Sequence, residues 1–238
     1  MSFAAGLGHA LELRQRDVVS ELKRGDSLEN VLDRHLLTVE KMSDIEIMTS
    51  ILLLSPDGKR LTHGAAPSLP APYREAIDGS EIGATAGSCG TAAYLGRPVY
   101  VTDIATDPLW AAYRDLALPH GLRSCWSTPI RHADGGVMGT FAIYHRSVSG
   151  PTREELSAID IITDNVAKAI TWSRNPDAKI HAFDVLPRQV AALQAIANAI
   201  SQQTSGLDPE CQEAIDAVVT SIGKLGESVQ RQLKESGD

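Results

Sequence analysis

The stretch GSCGTAAYLGRPVYVTDI, residues 87–104, decides the fold. Small residues open a helix near Ser88 or Cys89, Gly96 closes it, and a strand follows over 98–101. Downstream, DPLWAAYRDLALPHGLRSCWSTPI (107–130) begins with Asp107 as a helix cap and Pro108 in the first turn. A helix is therefore expected over 107–118, ended by Pro119 and Gly121, with a strand over 124–130. GGVMGTFAIYHR (135–146) supplies a turn and another strand, 137–145. Upstream, SILLLSPDGKRL (50–61) is a hairpin: Pro56 and Asp57-Gly58 lie between apolar runs at 45–54 and 61–65.

Helices flank these strands. Leu11, Val18, Val19 and Leu22 recur at helical spacing over 7–23, and Gly25 stops that run. Asp26 or Ser27 then caps a second helix striped by Leu28, Val31, Leu32, Leu36 and Val39. Pro67, Pro70 and Pro72 lead into a short helix over 73–77, and 79–87 reads as irregular. A long helix runs from 151 to 174, its acidic first turn suited to the positive end of the helix dipole. Adjacent strands joined by tight turns, with helices before and after, imply an α+β domain built on a central antiparallel sheet with helices on both faces. The expected division is an N-terminal helix at 1–25, a domain at 26–174 and a helical C-terminal extension at 175–238. In that extension Ile215, Val218, Ile222, Leu225 and Val229 step by threes and fours. Such a stripe suits a dimer helix, or a helix folded back on its own domain.

Composition narrows the function. The 238 residues carry a formal net charge of −8, a poor match to a polyanion, so no nucleic-acid partner is expected. No apolar run approaches the ~20 residues that span a bilayer, and the first residues lack a secretory pattern. A cytoplasmic protein without membrane contact is expected. Three cysteines, Cys89, Cys125 and Cys211, with no C-x-x-C spacing, argue against a disulfide framework and a structural zinc site.

The residues Ser88, Cys89, Gly90, Thr91 and Ala92 lie at a helix start, where free amides and a positive dipole favour an anion or a ligand oxygen. Close packing of the helix on the sheet explains the same small residues. Aromatics are only 5% of the chain, so Trp110, Tyr113 and Trp126, clustered after this helix, are candidate pocket walls or core residues. Arg123, with Arg114 and His120, offers a cation to an anionic ligand or a solvated surface charge. Cys125 adjoins Trp126. No carboxylate pair suits acid–base catalysis, and no phosphate-binding loop is present.

These same segments, in this order and spacing over about residues 26–173, resemble a GAF domain of the bacterial signalling type. The resemblance implies a PAS-like central antiparallel sheet with a ligand pocket and a role in small-molecule sensing or dimerisation. One similar branch comprises free methionine sulfoxide reductases, and Cys89-Gly90-Thr91-Ala92 matches one of its cysteines. Gly79 stands where that branch has a second cysteine, and Ser124-Cys125-Trp126 replaces its Ser-Glu-Ile, so its cysteine relay is incomplete. Bilin-binding relatives carry histidine after the attachment cysteine; Trp126 follows Cys125 here. Haem would need an axial ligand from among His63, His120, His132 and His145. Nitrate-sensing relatives use helix-start amides and aromatic walls. The expectation is a non-catalytic, homodimeric sensor of a small anion such as nitrate, acting on a partner such as a histidine kinase. A ligand-free assembly module is the alternative, and a reductase-like enzyme a further one.

Overall fold

The structure is a computed structural model describing residues 7–175, 193, 195, 200, 211 and 214–224. Two compact units divide the chain at residues 174 and 175. In the first, the elements follow one another as α1 (Leu7–Lys23), α2 (Leu28–Lys41), β1 (Ile47–Leu54), β2 (Arg60–Ala65), α3 (Ala71–Ile77), β3 (Ser80–Glu81), α4 (Gly87–Leu95), β4 (Val99–Val101), α5 (Arg114–Ala117), β5 (Ser124–Arg131), β6 (Val137–His145) and α6 (Arg153–Arg174).

The strands form one antiparallel sheet in the order β3-β2-β1-β6-β5-β4. Central strands β1, β5 and β6 are buried along almost their whole length because helices cover both faces. Successive side chains alternate between those faces. Ile47 and Ile51 of β1 point to the layer of α1, α2 and α6, while Met48 and Leu52 point to the layer of α3 and α4. In β5, Cys125 joins the second layer and Trp126 the first.

Local signals explain the helices. The Ser27 hydroxyl caps α2 by accepting from the Asn30 amide at 3.2 Å. Thr152 and Glu155 form a reciprocal capping box at the start of α6: the Thr152 amide donates to Glu155 Oε2 at 2.7 Å, and the Glu155 amide to Thr152 Oγ1 at 3.2 Å. Ala158, Ile159, Ile162, Val166, Ala169 and Ile170 give α6 one buried face. Asn165 lies on that face and donates from Nδ2 to the Leu11 carbonyl of α1 at 3.1 Å.

Two expectations are corrected. The helix expected over 107–118 is three short pieces: a 3-10 turn at Pro108–Trp110, then α5, then a 3-10 turn at Leu118–His120. Bonds from Trp110, Ala111 and Tyr113 each reach back three residues, and Pro119 has no amide with which to extend the last turn. The segment 79–87, expected to be irregular, contributes β3, which pairs Ser80 with Leu61 and Glu81 with Arg60 at the sheet edge.

In the second unit, Leu193, Ala195, Ile200, Cys211 and residues 214–224 are helical. Ile215, Val218 and Ile222 lie on an apolar groove with Leu193 and Ile200, and Val218 is 58% exposed. Leu225 and Val229 lie outside the described residues. Among the described residues no helix is long and apolar enough to cross a membrane.

Candidate functional site

α4 sits close against the sheet because its residues are small; every residue from Gly87 to Ala93 is buried. At Gly90 the approach is tightest: a methyl there would come within 2.6 Å of Ala86 Cβ and 3.3 Å of the Glu81 carbonyl. No side chain caps α4. The Ala86 amide donates to Thr91 Oγ1 at 3.0 Å. Among the described residues, no backbone carbonyl outside the helix accepts from Gly87, Ser88 or Cys89. The positive end of the helix dipole therefore keeps its first amides available.

Those amides border a cavity of about 40 Å³. Leu52 and Tyr144 of the sheet form its floor, Leu61, Tyr73 and Ile77 one wall, and Trp110 and Tyr113 its roof. Ser88 fixes the roof. Its hydroxyl accepts from Trp110 Nε1 at 3.0 Å and donates to the Cys125 carbonyl at 2.9 Å. The Tyr73 ring stands edge-on to Tyr144, centroids 5.8 Å apart. Glu81 is the acidic lining residue, and Arg60 Nη2 holds its carboxylate at 2.5 Å.

Beneath α4 lies a polar cluster. Cys89 Sγ is 3.9 Å from the Tyr144 hydroxyl. A hydrogen bond from Cys125 brings the Cys89 thiol down to about 7; burial opposes this, and Ser127, Tyr144 and Thr140 add further donors. Burial pushes the Cys125 thiol well up, reinforced by its position beside Cys89. Burial likewise raises the phenols of Tyr144 and Tyr73. Of the two sulfurs, Cys89 is the one that ionises more readily. Ser50, Ser127 and Thr140 are fully buried hydroxyls beside these groups.

Helix-start amides over an aromatic-walled cavity on an antiparallel sheet accord with what comparison finds. The GAF domain family model matches residues 25–171. The chain belongs to the GAF domain family. It is similar to a methyl sulfide methyltransferase-associated sensor of Methanosarcina acetivorans, 32% identical over 225 residues. That alignment takes in 94% of this chain but 22% of the relative, so the chain spans about a fifth of the relative's length. Among solved structures, a free methionine-R-sulfoxide reductase from Neisseria meningitidis bound to its substrate matches with a TM-score of 0.54 at 16% identity. The match covers 69% of this chain and 87% of that one. A domain of a protein described as a two-component sensor histidine kinase, from Sinorhizobium meliloti 1021, matches with a TM-score of 0.53 at 18% identity, over 65% of this chain and 97% of that one. At these identities the structures share the fold.

The GAF cavity brings together Ser88, Cys89, Gly90, Trp110 and Tyr113 as the sequence suggested. Other candidates fall elsewhere. Trp126 points to the opposite face, where its Nε1 donates to the Ser149 carbonyl at 2.8 Å and its ring lies 4.2 Å from that of His145. Arg123 pairs with Asp103 at 3.0 Å and does not line the cavity. The Thr91 hydroxyl accepts from the Ala86 amide, Ala92 packs into the core, and Cys125 lies outside the cavity lining, across the sheet ladder from Tyr144. The histidines considered for haem do not fit that group. His63 faces Glu29, His132 faces Asp134, His145 stacks behind Trp126, and His120 lies edge-on to Tyr73 without lining the cavity. A space of about 40 Å³ is far smaller than a macrocycle requires. Tyr144, Tyr73 and the buried hydroxyls are the features that motif reading missed; strand alternation from Cys125 and from Ala142 would have placed Tyr144 and Ser127 on the cavity side. Among the described residues no cluster of His, Cys, Asp or Glu is placed to hold a metal ion.

Proposed function

We propose that this chain is the non-catalytic sensor portion of a signalling protein, and that its GAF cavity takes a small, weakly hydrated ligand through hydrogen bonds from the first amides of α4. The carrying observation is the cavity at an uncapped helix start, roofed by a tryptophan that is itself tied to that helix through Ser88. Helix-start amides favour an oxyanion, and the aromatic walls favour one that gives up water readily. A small planar oxyanion such as nitrate suits a site of this size. Donors here are amides rather than guanidinium groups, since Arg123 is engaged by Asp103 and Arg114 by the Asp107 carbonyl.

Thermal unfolding with nitrate, nitrite and acetate, against chloride at equal ionic strength, tests this reading. A ligand at a hundred times its Kd stabilises by about 2.7 kcal/mol, a rise of roughly 5–10 °C in Tm. Tyr113→Ala, which opens the roof, is expected to shrink the rise. No response to any of the three anions removes the ligand and leaves an assembly module. Sustained turnover of free methionine sulfoxide, abolished by Cys89→Ser, would replace the sensor with a reductase.

The apolar face of the C-terminal unit supports an output through a second copy of the chain. An exposed Val218 beside Ile215 and Ile222 is costly in water and is relieved by pairing with an equivalent face. Ile222→Asp is expected to convert a dimer to a monomer in light scattering. A variant that stays dimeric places the interface elsewhere. A histidine kinase is the partner class considered for the signal.

A further inference from the structure

We propose that Cys89 and Cys125 are a redox pair, oxidised to a disulfide by a small hydroperoxide that reaches Cys89 through the cavity. Three observations converge on these sulfurs. Cys89 lines the cavity, so an oxidant that enters meets its sulfur first. Cys125 is fully buried on the same face of the sheet, as the cross-strand partner of Tyr144, whose hydroxyl lies 3.9 Å from Cys89 Sγ, so its thiol is shielded from the same oxidant yet beside its neighbour. The Ser88 hydroxyl bond to the Cys125 carbonyl holds the two backbones side by side.

Cys89 is the attacking sulfur on two grounds. It lies in the first turn of α4, where the helix dipole favours a negative charge. The donors around it, Cys125, Ser127, Tyr144 and Thr140, favour the same charge, whereas burial keeps Cys125 protonated. In the first step the Cys89 thiolate attacks the distal peroxide oxygen. An S–O bond forms, the O–O bond breaks, and the departing alkoxide or hydroxide takes up the proton that Cys89 had released. Cys89 is then a sulfenic acid. In the second step the Cys125 sulfur attacks the Cys89 sulfur. The S–S bond forms, the S–O bond breaks, and hydroxide leaves with the Cys125 proton as water. Two thiols lose two electrons, and one hydroperoxide becomes an alcohol, or water, plus water.

The pair is separable from the anion reading, because it needs the cavity as a route and not as a binding site. A protein that ignores nitrate still forms the disulfide if the pair is real, and the reverse also holds.

The test uses the full chain carrying Cys211→Ser, which removes the exposed third thiol. The reduced protein is treated with one equivalent of hydrogen peroxide under native conditions, and thiols are counted after denaturation. The expected result is a fall from two free thiols to none, an intact mass lower by two hydrogens, and a Cys89–Cys125 cross-linked peptide, all reversed by dithiothreitol. Cys125→Ala is expected to stop at the sulfenic acid, captured on Cys89 by dimedone. Cys89→Ser is expected to leave Cys125 unmodified at the same dose, since its sulfur has no access of its own. Near-ultraviolet circular dichroism confirms that each protein is folded when treated. Retention of both thiols in the folded protein overturns the proposal. So does a sulfinic acid on Cys89 with Cys125 present, because a resolving thiol in contact would intercept the sulfenic acid first.

Discussion

Gly139→Ala is expected to lower stability by about 3–4 kcal/mol, one of the largest effects a single methyl can have in this domain. Gly139 lies on β6 opposite Leu53 of β1. A methyl there would sit 2.2 Å from the Leu52 carbonyl oxygen and 3.2 Å from both the Leu52 carbonyl carbon and Leu53 Cα. These are backbone atoms, so no side chain can rotate away. The two central strands would have to separate, breaking ladder bonds at the middle of the sheet. Gly135→Ala is a fitting control. It lies in the β5–β6 turn with φ of +90° and open space around it, so its cost is backbone strain alone, about 1–2 kcal/mol. Urea unfolding of both variants at neutral pH measures the difference. Equal midpoints would mean that β1 and β6 do not meet in this register.

Acid is expected to remove about 3 kcal/mol of stability between pH 6.5 and pH 4 through His35 alone. His35 is fully buried on α2, facing Arg14 and Glu21 of α1 and the Ile162 carbonyl of α6. Burial, reinforced by the Arg14 charge, lowers its value from 6.5 to about 4, so the folded protein keeps the ring neutral. The unfolded chain protonates it at its ordinary value. Within that window unfolding takes up a proton, so stability falls as pH falls. Above pH 6.5 both states are neutral and the contribution vanishes. His145 is shifted the same way by burial, with Glu155 opposing, and steepens the loss. Glu21 is held below its usual range by the hydrogen bond from Arg14, with Arg34 helping and burial opposing, so its own contribution fades only below about 4.5. His35→Leu keeps the volume and removes the titration. Its unfolding midpoint should change less between pH 7 and pH 5 than that of the parent. An identical pH profile in the variant would place the acid sensitivity on another group.

The architecture was legible because its signals are local and repeated. Turn residues at 55–60, periodic apolar positions in α1, α2 and α6, and the Gly96 stop each act within a few residues. The site was legible only where it coincides with a helix start, at Ser88, Cys89 and Gly90. Trp126 was misplaced by reading aromatic residues as a cluster along the chain. A strand sends adjacent side chains to opposite faces, so Cys125 and Trp126 could never both face one cavity. Tyr73, Leu52 and Tyr144 were not legible for a different reason. They come from α3, β1 and β6 and meet only through long-range pairing, which leaves no spacing in the sequence. The broken 107–118 segment is a third case: a good cap and an early proline start a helix, but nothing local reveals that the Trp110 indole is claimed by Ser88.

That shared hydroxyl has a mechanical consequence. The roof tryptophan cannot tilt without tugging on Ser88, and Ser88 is fastened to the main chain of β5 at Cys125. The very next side chain along β5 is Trp126, wedged among the helices on the far side of the sheet and pinned to Ser149. Like a rocker beam, β5 is therefore expected to pass a push on the front indole to the one at the back, across a single peptide link.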